Sequence, residues 1–253
     1  MRQAIALPPG SQKTKSAIML GGAHKTLNWL SSVHDQGFAI IPDVLTLGDC
    51  DSLIGKISEP GVQRSRAGVR HAMKLPCVNV LARNERLLAM ARKILGNDAL
   101  PYKATIFDKS STANWLVVWH QDTALPLKHR RDVREWGPWS VKEGVTYAHA
   151  PAKALSKILA LRVHLDDSTP ENGPLRVLPG THVFGVLTDN AIHDLSTQIQ
   201  SVDCPVPRGG VLAMRPLIVH ASSKSHTDRP RRVLHIEYAE TAMIADGLEL
   251  AET

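Results

Sequence analysis

His120, Asp122 and His220 have the residue types of a metal site, and the first two are spaced to share a face. The segment WLVVWHQD, residues 115–122, reads as a strand, in which alternate side chains project to the same side. His120 and Asp122 are therefore aimed together, and Gln121 is aimed opposite. A neutral imidazole and a carboxylate converging from one strand end suit a hard or borderline divalent cation. An HxD pair is common by chance, so a third ligand must come from elsewhere. Among the 12 histidines, His220 stands out by its setting. It ends the apolar run PLIVH, and Gly209-Gly210 makes a tight turn into the strand before it. Arg231 follows eleven residues later and opens the apolar strand VLHIEYA. Beside a metal, an arginine suits bidentate recognition of a carboxylate. Together the four residues match a 2-His-1-carboxylate iron site that takes a 2-oxoacid cosubstrate.

Such ligands need a rigid scaffold, and the sequence divides into two textures. Residues 1–24, rich in Gly, Pro, Ser and Lys, are expected to form a flexible N-terminal arm. From Thr26 the pattern is helical, with Leu27, Leu30 and Val33 on one face and Trp29 at its edge. FAIIP, after Gly37, reads as a short strand, and Asp49 and Asp51 open a second helix carrying Leu53, Ile54 and Ile57. Asn84 caps a helix, ERLLAMARKIL, that Gly96 ends. Beyond residue 100, short apolar runs alternate with turn residues: YKATIFD, ILALRVHLDD, LRVLPG, GGVLAMR, LIVHAS and RRVLHIEYA. That spacing predicts a mainly antiparallel sandwich or barrel. The expected plan is a single domain over 25–253, helical to about 98, with a mainly β core over about 100–240.

The segments WHQD (119–122), LDDSTPENGPLRVLPGTH (165–182) and RGGVLAMRPLIVHASSKSHTDRPRR (208–232) resemble the phytanoyl-CoA dioxygenase family of iron(II)- and 2-oxoglutarate-dependent oxygenases. The resemblance spans about residues 100–240, and GFAIIPDVL resembles the family's opening. It implies a double-stranded β-helix, or jelly roll, of cupin-like form. His120, Asp122 and His220 would hold Fe(II), and Arg231 and Ser222 would grip the distal carboxylate of 2-oxoglutarate. Arg162 and Thr105 would line the cosubstrate pocket. Arg232 is the alternative to Arg231, but strand alternation turns only one of the two inward. With O2, such a site hydroxylates a small molecule and releases succinate and CO2. Related halogenases have a small residue where Asp122 stands, so chlorination is not expected.

The long stretch 124–155 carries Trp136, Trp139, Tyr147 and His149 and is expected to form a lid or wall that touches the substrate. In ENGPLRVLPGTH, Asn172-Gly173 and Pro179-Gly180 supply turns, a structural role at the barrel mouth.

The remaining numbers exclude other classes. The 253 residues, 43% hydrophobic and 21% charged, describe an ordinary globular chain with no run of apolar residues long enough to span a membrane. Cys50, Cys77 and Cys204 form no CxxC pair, which fits a reducing cytoplasm. The net charge of +6 is spread along the chain, and its densest cluster, Lys128 to Arg131, is followed by Asp132 and Glu135, so no nucleic-acid partner is expected. Oligomeric state is left open. Two rivals share the barrel: a cupin-type metal enzyme that uses no 2-oxoglutarate, and a non-catalytic binding module.

Overall fold

The computed structural model describes residues 22–65, 68–109 and 113–253, with side chains from Trp29 onward. The arm expected over residues 1–24 lies almost wholly outside the described residues. Helix α1 (Gly22–Asp35) leads into strand β1 (Phe38–Ile41) and helix α2 (Leu47–Ile57). Thr46, not Asp49, is the N-cap of α2; its hydroxyl accepts from the Asp49 N–H while Asp49 accepts from the Thr46 N–H. β2 (Gly68–Val69), α3 (Pro76–Ala82), α4 (Glu85–Leu95) and β3 (Leu100–Lys109) follow. Asn84 caps α4 through the Arg86 N–H, and Gly96 ends it at φ 98°.

The β core then runs through β4 (Val117–His120), β5 (Ala124–Leu127), β6 (Trp139–Lys142), β7 (Val145–His149), α5 (Ala152–Leu155) and β8 (Ile158–His164). It continues with β9 (Leu175–Val177), α6 (Asp189–Gln198), β10 (Val202–Cys204), β11 (Val211–Met214), β12 (His220–Ser222) and β13 (Arg231–Ala239). A closing hairpin pairs β14 (Met243–Ala245) with β15 (Leu248–Glu249).

Two antiparallel sheets make the barrel: β1-β11-β8-β13-β3-β2 and β10-β9-β12-β4. Alternation along the larger sheet sorts its residues. Ala104, Ile106, Leu161, Val163, Leu234 and Ile236 face outward and pack with Val33, Leu53, Ile57, Leu87 and Ala91 of the helices. The intervening residues face the smaller sheet, where Ala160, Leu212 and Met214 pack with Leu175, Val177 and Ile218. On the far side of the smaller sheet, Leu178 and Val219 meet Ile192 and Leu195 of α6. This is the jelly roll expected from the sequence, with α1–α4 on the outer face of the larger sheet and α6 on that of the smaller.

Residues 124–155, expected from their length and aromatic content to be a lid or wall, hold regular strands. β5, β7 and β6 form a separate three-stranded antiparallel sheet, turned at Glu143-Gly144. One face, with Leu125, Leu127, Trp139 and Ala148, packs in its own apolar cluster together with Trp136. The other presents Lys142, Ser140, Tyr147 and His149. Gly173 and Gly180, at φ 68° and 78°, occupy the turns read from ENGPLRVLPGTH. No helix of the described residues is long and apolar enough to cross a membrane.

Candidate active site

β4 and β12 are neighbours, and their register sets His120 directly opposite His220. The two rings lie 4.2 Å apart between centroids. Asp122, just beyond β4, is held by its own N–H to the Pro216 carbonyl. Its two oxygens stand 3.7 Å from His120 Nε2 and 3.5 Å from His220 Nε2. Each imidazole is fixed through its other nitrogen: His120 Nδ1 meets the Val118 carbonyl at 2.8 Å and His220 Nδ1 meets the Ile218 carbonyl at 2.9 Å. A carbonyl only accepts, so both Nδ1 atoms carry the proton and both Nε2 lone pairs face Asp122. Burial pushes His220 down to about 4; against its own desolvation, Asp122 is held well below the usual carboxylate range by His220, His235 and His120, in that order, and by Lys103. Neutral imidazoles and an ionised carboxylate on one short triangle fit a divalent ion at bond lengths of about 2.0–2.2 Å. His120 and Asp122 each keep 36% of their side chains exposed while His220 keeps 4%, so the cluster is open on one side.

Gln121 points the other way, as the alternation requires. Its amide nitrogen donates to the Gly185 and Leu217 carbonyls and its oxygen accepts from the Leu187 N–H. One buried side chain thus ties the ligand-bearing segment to two neighbouring loops. Gln121→Ala strands all three backbone groups, at about 1–3 kcal/mol for each buried group left unpaired. The expected result is a lower urea midpoint together with weaker divalent-metal binding. A variant matching the parent in both would show that this tie is dispensable.

Inside the barrel, β3, β13 and β8 stack their inward side chains in rows. Lys103 pairs with Glu237, Thr105 with His235 and Arg162, Phe107 with Val233 and His164, and Lys109 with Arg231. Arg231 is 4% exposed, and its Nε has no partner among the described residues. Arg232 faces the opposite side, where Asp166 receives its Nε and Nη2, each at 2.7 Å. Ser222, inward from β12, accepts from Lys109 Nζ at 3.2 Å, and the Ser223 carbonyl accepts from the same ammonium at 2.6 Å. Burial, then Arg231 and Arg162, push Lys109 down to about 8; burial and Arg162 push Arg231 down to about 10. Among the described residues, no carboxylate stands within ion-pair distance of Lys109, Arg162 or Arg231.

Arg162 donates to His235 Nδ1 at 3.0 Å, so the remaining ring N–H of His235 donates to Glu237 at 3.2 Å. Thr105 is half-buried in the same row. Arg162, Ser222 and Arg231 thus lie inside the same barrel as the His120-Asp122-His220 cluster, and Thr105 lies beside Arg162. Trp136 and Trp139 do not converge; they pack on the far face of the small sheet, with Arg130 over the Trp139 ring at 5.5 Å. Tyr147 and His149 face the other way, His149 Nδ1 lying 2.7 Å from the Thr123 hydroxyl next to Asp122. Lys103, Lys109, His235 and Glu237 escaped the motif reading. The signal was there in the period-two spacing of Lys103, Thr105 and Lys109 and of Arg231, His235 and Glu237, polar residues on what should be a buried face.

The chain is similar to several known proteins. The chain is 26% identical over 184 residues to the L-proline trans-4-hydroxylase of Streptomyces griseoviridis, covering 62% of this chain and 61% of that protein. It is 26% identical over 134 residues to the ectoine dioxygenase of Sphingopyxis alaskensis, covering 53% of this chain and 36% of the relative. The chain therefore spans about a third to three-fifths of the curated relatives it matches. The crystal structure of EctD from S. alaskensis with 2-oxoglutarate and 5-hydroxyectoine has the same fold, with a TM-score of 0.63 at 18% identity over 93% of this chain and 82% of that one. The sequence model of the phytanoyl-CoA dioxygenase (PhyH) family matches residues 33–233, more than half of the sequence, and the chain belongs to that family.

Proposed function

We propose that residues 25–253 act as one iron(II)- and 2-oxoglutarate-dependent dioxygenase domain that hydroxylates a small molecule. The observation that carries this reading is the pair of buried, uncompensated cations, Lys109 and Arg231, beside Ser222, which stands two residues along β12 from His220. Isolated buried charges are expensive unless paired. A pocket that keeps two of them is built to receive an anion, and the distal carboxylate of 2-oxoglutarate supplies one.

In this reading His120, Asp122 and His220 hold the metal, and Arg231, Lys109 and Ser222 grip the distal carboxylate. Iron bound there supplies the redox chemistry by which O2 and 2-oxoglutarate yield succinate, CO2 and a hydroxylated product. The chain does the rest. Arg162, locked through His235 to Glu237, keeps the middle of the pocket polar and ordered, with Thr105 beside it. The apolar wall of Leu175, Val177 and Leu212 excludes water from the closed end. The relatives named for proline and ectoine support a small metabolite as substrate. The three free thiols, Cys50, Cys77 and Cys204, support a reducing compartment such as the cytoplasm. The decisive assay is metal-dependent release of succinate from 2-oxoglutarate; a purified, iron-loaded protein that neither binds nor turns over 2-oxoglutarate overturns the proposal.

Lys109 adds a pH signature. A bound carboxylate favours the charged ammonium and raises its pKa above the ligand-free value of about 8. Affinity for 2-oxoglutarate is therefore full below about 8 and falls as pH rises through the window between the free and bound values. Isothermal titration from pH 7 to 9 should show this decline in the parent and a flatter profile in Lys109→Arg. Identical profiles would remove Lys109 from the carboxylate site.

A further inference from the structure

We propose that the substrate of this oxygenase carries a carboxylate, received at the mouth of the barrel by Lys103, Arg70 and Lys142 around the Tyr147 ring. This rests on the oxygenase reading above and names the chemical class of molecule that the site takes.

The placement follows from strand geometry. Lys103 and Lys109 lie on the same inward face of β3, six residues apart, which at ~3.3 Å per residue separates them by roughly 20 Å. Lys109 marks the cosubstrate end, and Lys103 lies towards Asp122, whose charge it feels. The two ends of the cavity thus carry separate cationic groups, with the metal ligands between them.

Charge balance at the Lys103 end leaves cations in excess. Glu237 is fully engaged, accepting from Tyr102 Oη at 2.5 Å, from Lys103 Nζ at 2.7 Å and from His235 Nε2 at 3.2 Å. That contact takes one of the three donors of the Lys103 ammonium and holds it in place, with 19% of the side chain exposed. Glu143 faces His71 Nδ1 at 3.6 Å. Arg70 and Lys142 have no carboxylate within ion-pair distance among the described residues. Lys142 instead sits with Nζ 5.0 Å over the Tyr147 ring. Arg70 and Lys103 both act on it electrostatically, and with burial, the larger cause, they hold its ammonium below the usual lysine value. Arg70 and Lys142, exposed and unpaired among the described residues, beside a Lys103 ammonium with donors to spare, form a site for an anion.

The floor of this mouth is rigid. Tyr147 is buried, and its hydroxyl is 3.0 Å from His71 Nε2. His71 is itself buried and held at φ 54°, a left-handed conformation that a non-glycine residue keeps only when its surroundings impose it. His149, on the same face of β7, continues the surface to Thr123 and so to Asp122. A carboxylate anchored at Lys142 and Arg70 therefore extends its carbon skeleton along Tyr147 and His149 towards the metal ligands, away from the cosubstrate's own carboxylate.

The test uses matched probes. The proteinogenic L-amino acids and simple aliphatic carboxylic acids are each compared with the corresponding carboxamide, by calorimetric binding to the protein loaded with Ni(II) and 2-oxoglutarate and by stimulation of succinate release from the iron form. At least one acid should bind, with its amide at least tenfold weaker. Arg70→Gln and Lys142→Gln together should weaken that acid tenfold or more while 2-oxoglutarate affinity stays at the parent value. Lys103→Gln is the stronger change but unbalances Glu237, so the two exposed positions carry the test. Acids and amides binding alike, no acid binding, or an unaltered affinity in the double variant each overturn the inference while leaving the oxygenase intact if 2-oxoglutarate still binds. Competition by inorganic phosphate but by no carboxylate assigns the patch to phosphate and also overturns it. Loss of 2-oxoglutarate binding in the parent protein, by contrast, defeats the oxygenase reading itself.

Discussion

Asp122→Ala should abolish metal-dependent release of succinate while the protein stays folded. Asp122 contributes the only carboxylate of the described cluster that could hold a metal. Without it two neutral imidazoles remain, and a hard divalent cation loses its one anionic donor. The fold does not depend on that side chain in the same way. Its backbone N–H is secured by the Pro216 carbonyl and its neighbour Gln121 ties the segment to two loops, so neither anchor uses the carboxylate. Removing it even takes away a charge that must be desolvated. The measurements are succinate release, divalent-metal affinity by calorimetry, and the near-ultraviolet circular dichroism of the metal-free protein. Unaltered turnover would mean that another carboxylate serves the metal. Lost turnover with a collapsed dichroism signal would mean that Asp122 is structural, and Asp122→Asn, which keeps the shape, would then separate the two roles.

How far such a site is legible in sequence depends on which physical rule places each residue. His120 and Asp122 are fixed to one face by strand alternation, which is local and readable. His220 needed a long-range fact, the pairing of β12 with β4, and was reached only through its place at the end of an apolar run and through family resemblance. The same holds for the choice of Arg231 over Arg232: alternation says that one turns inward, but only the Asp166 pairing shows where the other goes. Lys109 stayed hidden because a lysine at the end of a strand is ordinarily solvated. Its burial arises from its pairing opposite Arg231 and from Ser222 arriving on another strand. The stretch 124–155 shows in sequence only its length and its aromatic residues, because Pro126, Gly137, Pro138 and Gly144 break any strand pattern. Short strands can form between such breaks when a second core, here Leu125, Leu127 and Trp136, gives them an apolar side to bury. Trp139 fell on that apolar side and Tyr147 on the other, a one-residue parity that aromatic content alone does not convey.

Arg231→Ala should weaken 2-oxoglutarate binding by about 2–4 kcal/mol, the usual cost of losing one partner of a buried charge-assisted pair. That is roughly a 30- to 1,000-fold rise in Kd. The same change should leave the ligand-free protein as stable as the parent or more so, because a buried guanidinium with an unpartnered Nε is a penalty that the empty pocket does not offset. Opposite signs for affinity and stability are the mark of a residue kept for binding, since a merely structural arginine would lose both together. Calorimetric titration of 2-oxoglutarate into the Ni(II) form, set beside urea unfolding of the metal-free form, reads the two quantities separately. Lys109→Met tests the neighbouring cation in the same way, and the double variant shows whether the two act on one carboxylate. Two donors to one group couple, so the double loss should fall short of the sum of the single losses. Full additivity would place Lys109 and Arg231 on different parts of the ligand, and an unchanged affinity in Arg231→Ala would pass its role to Lys109 or Arg162.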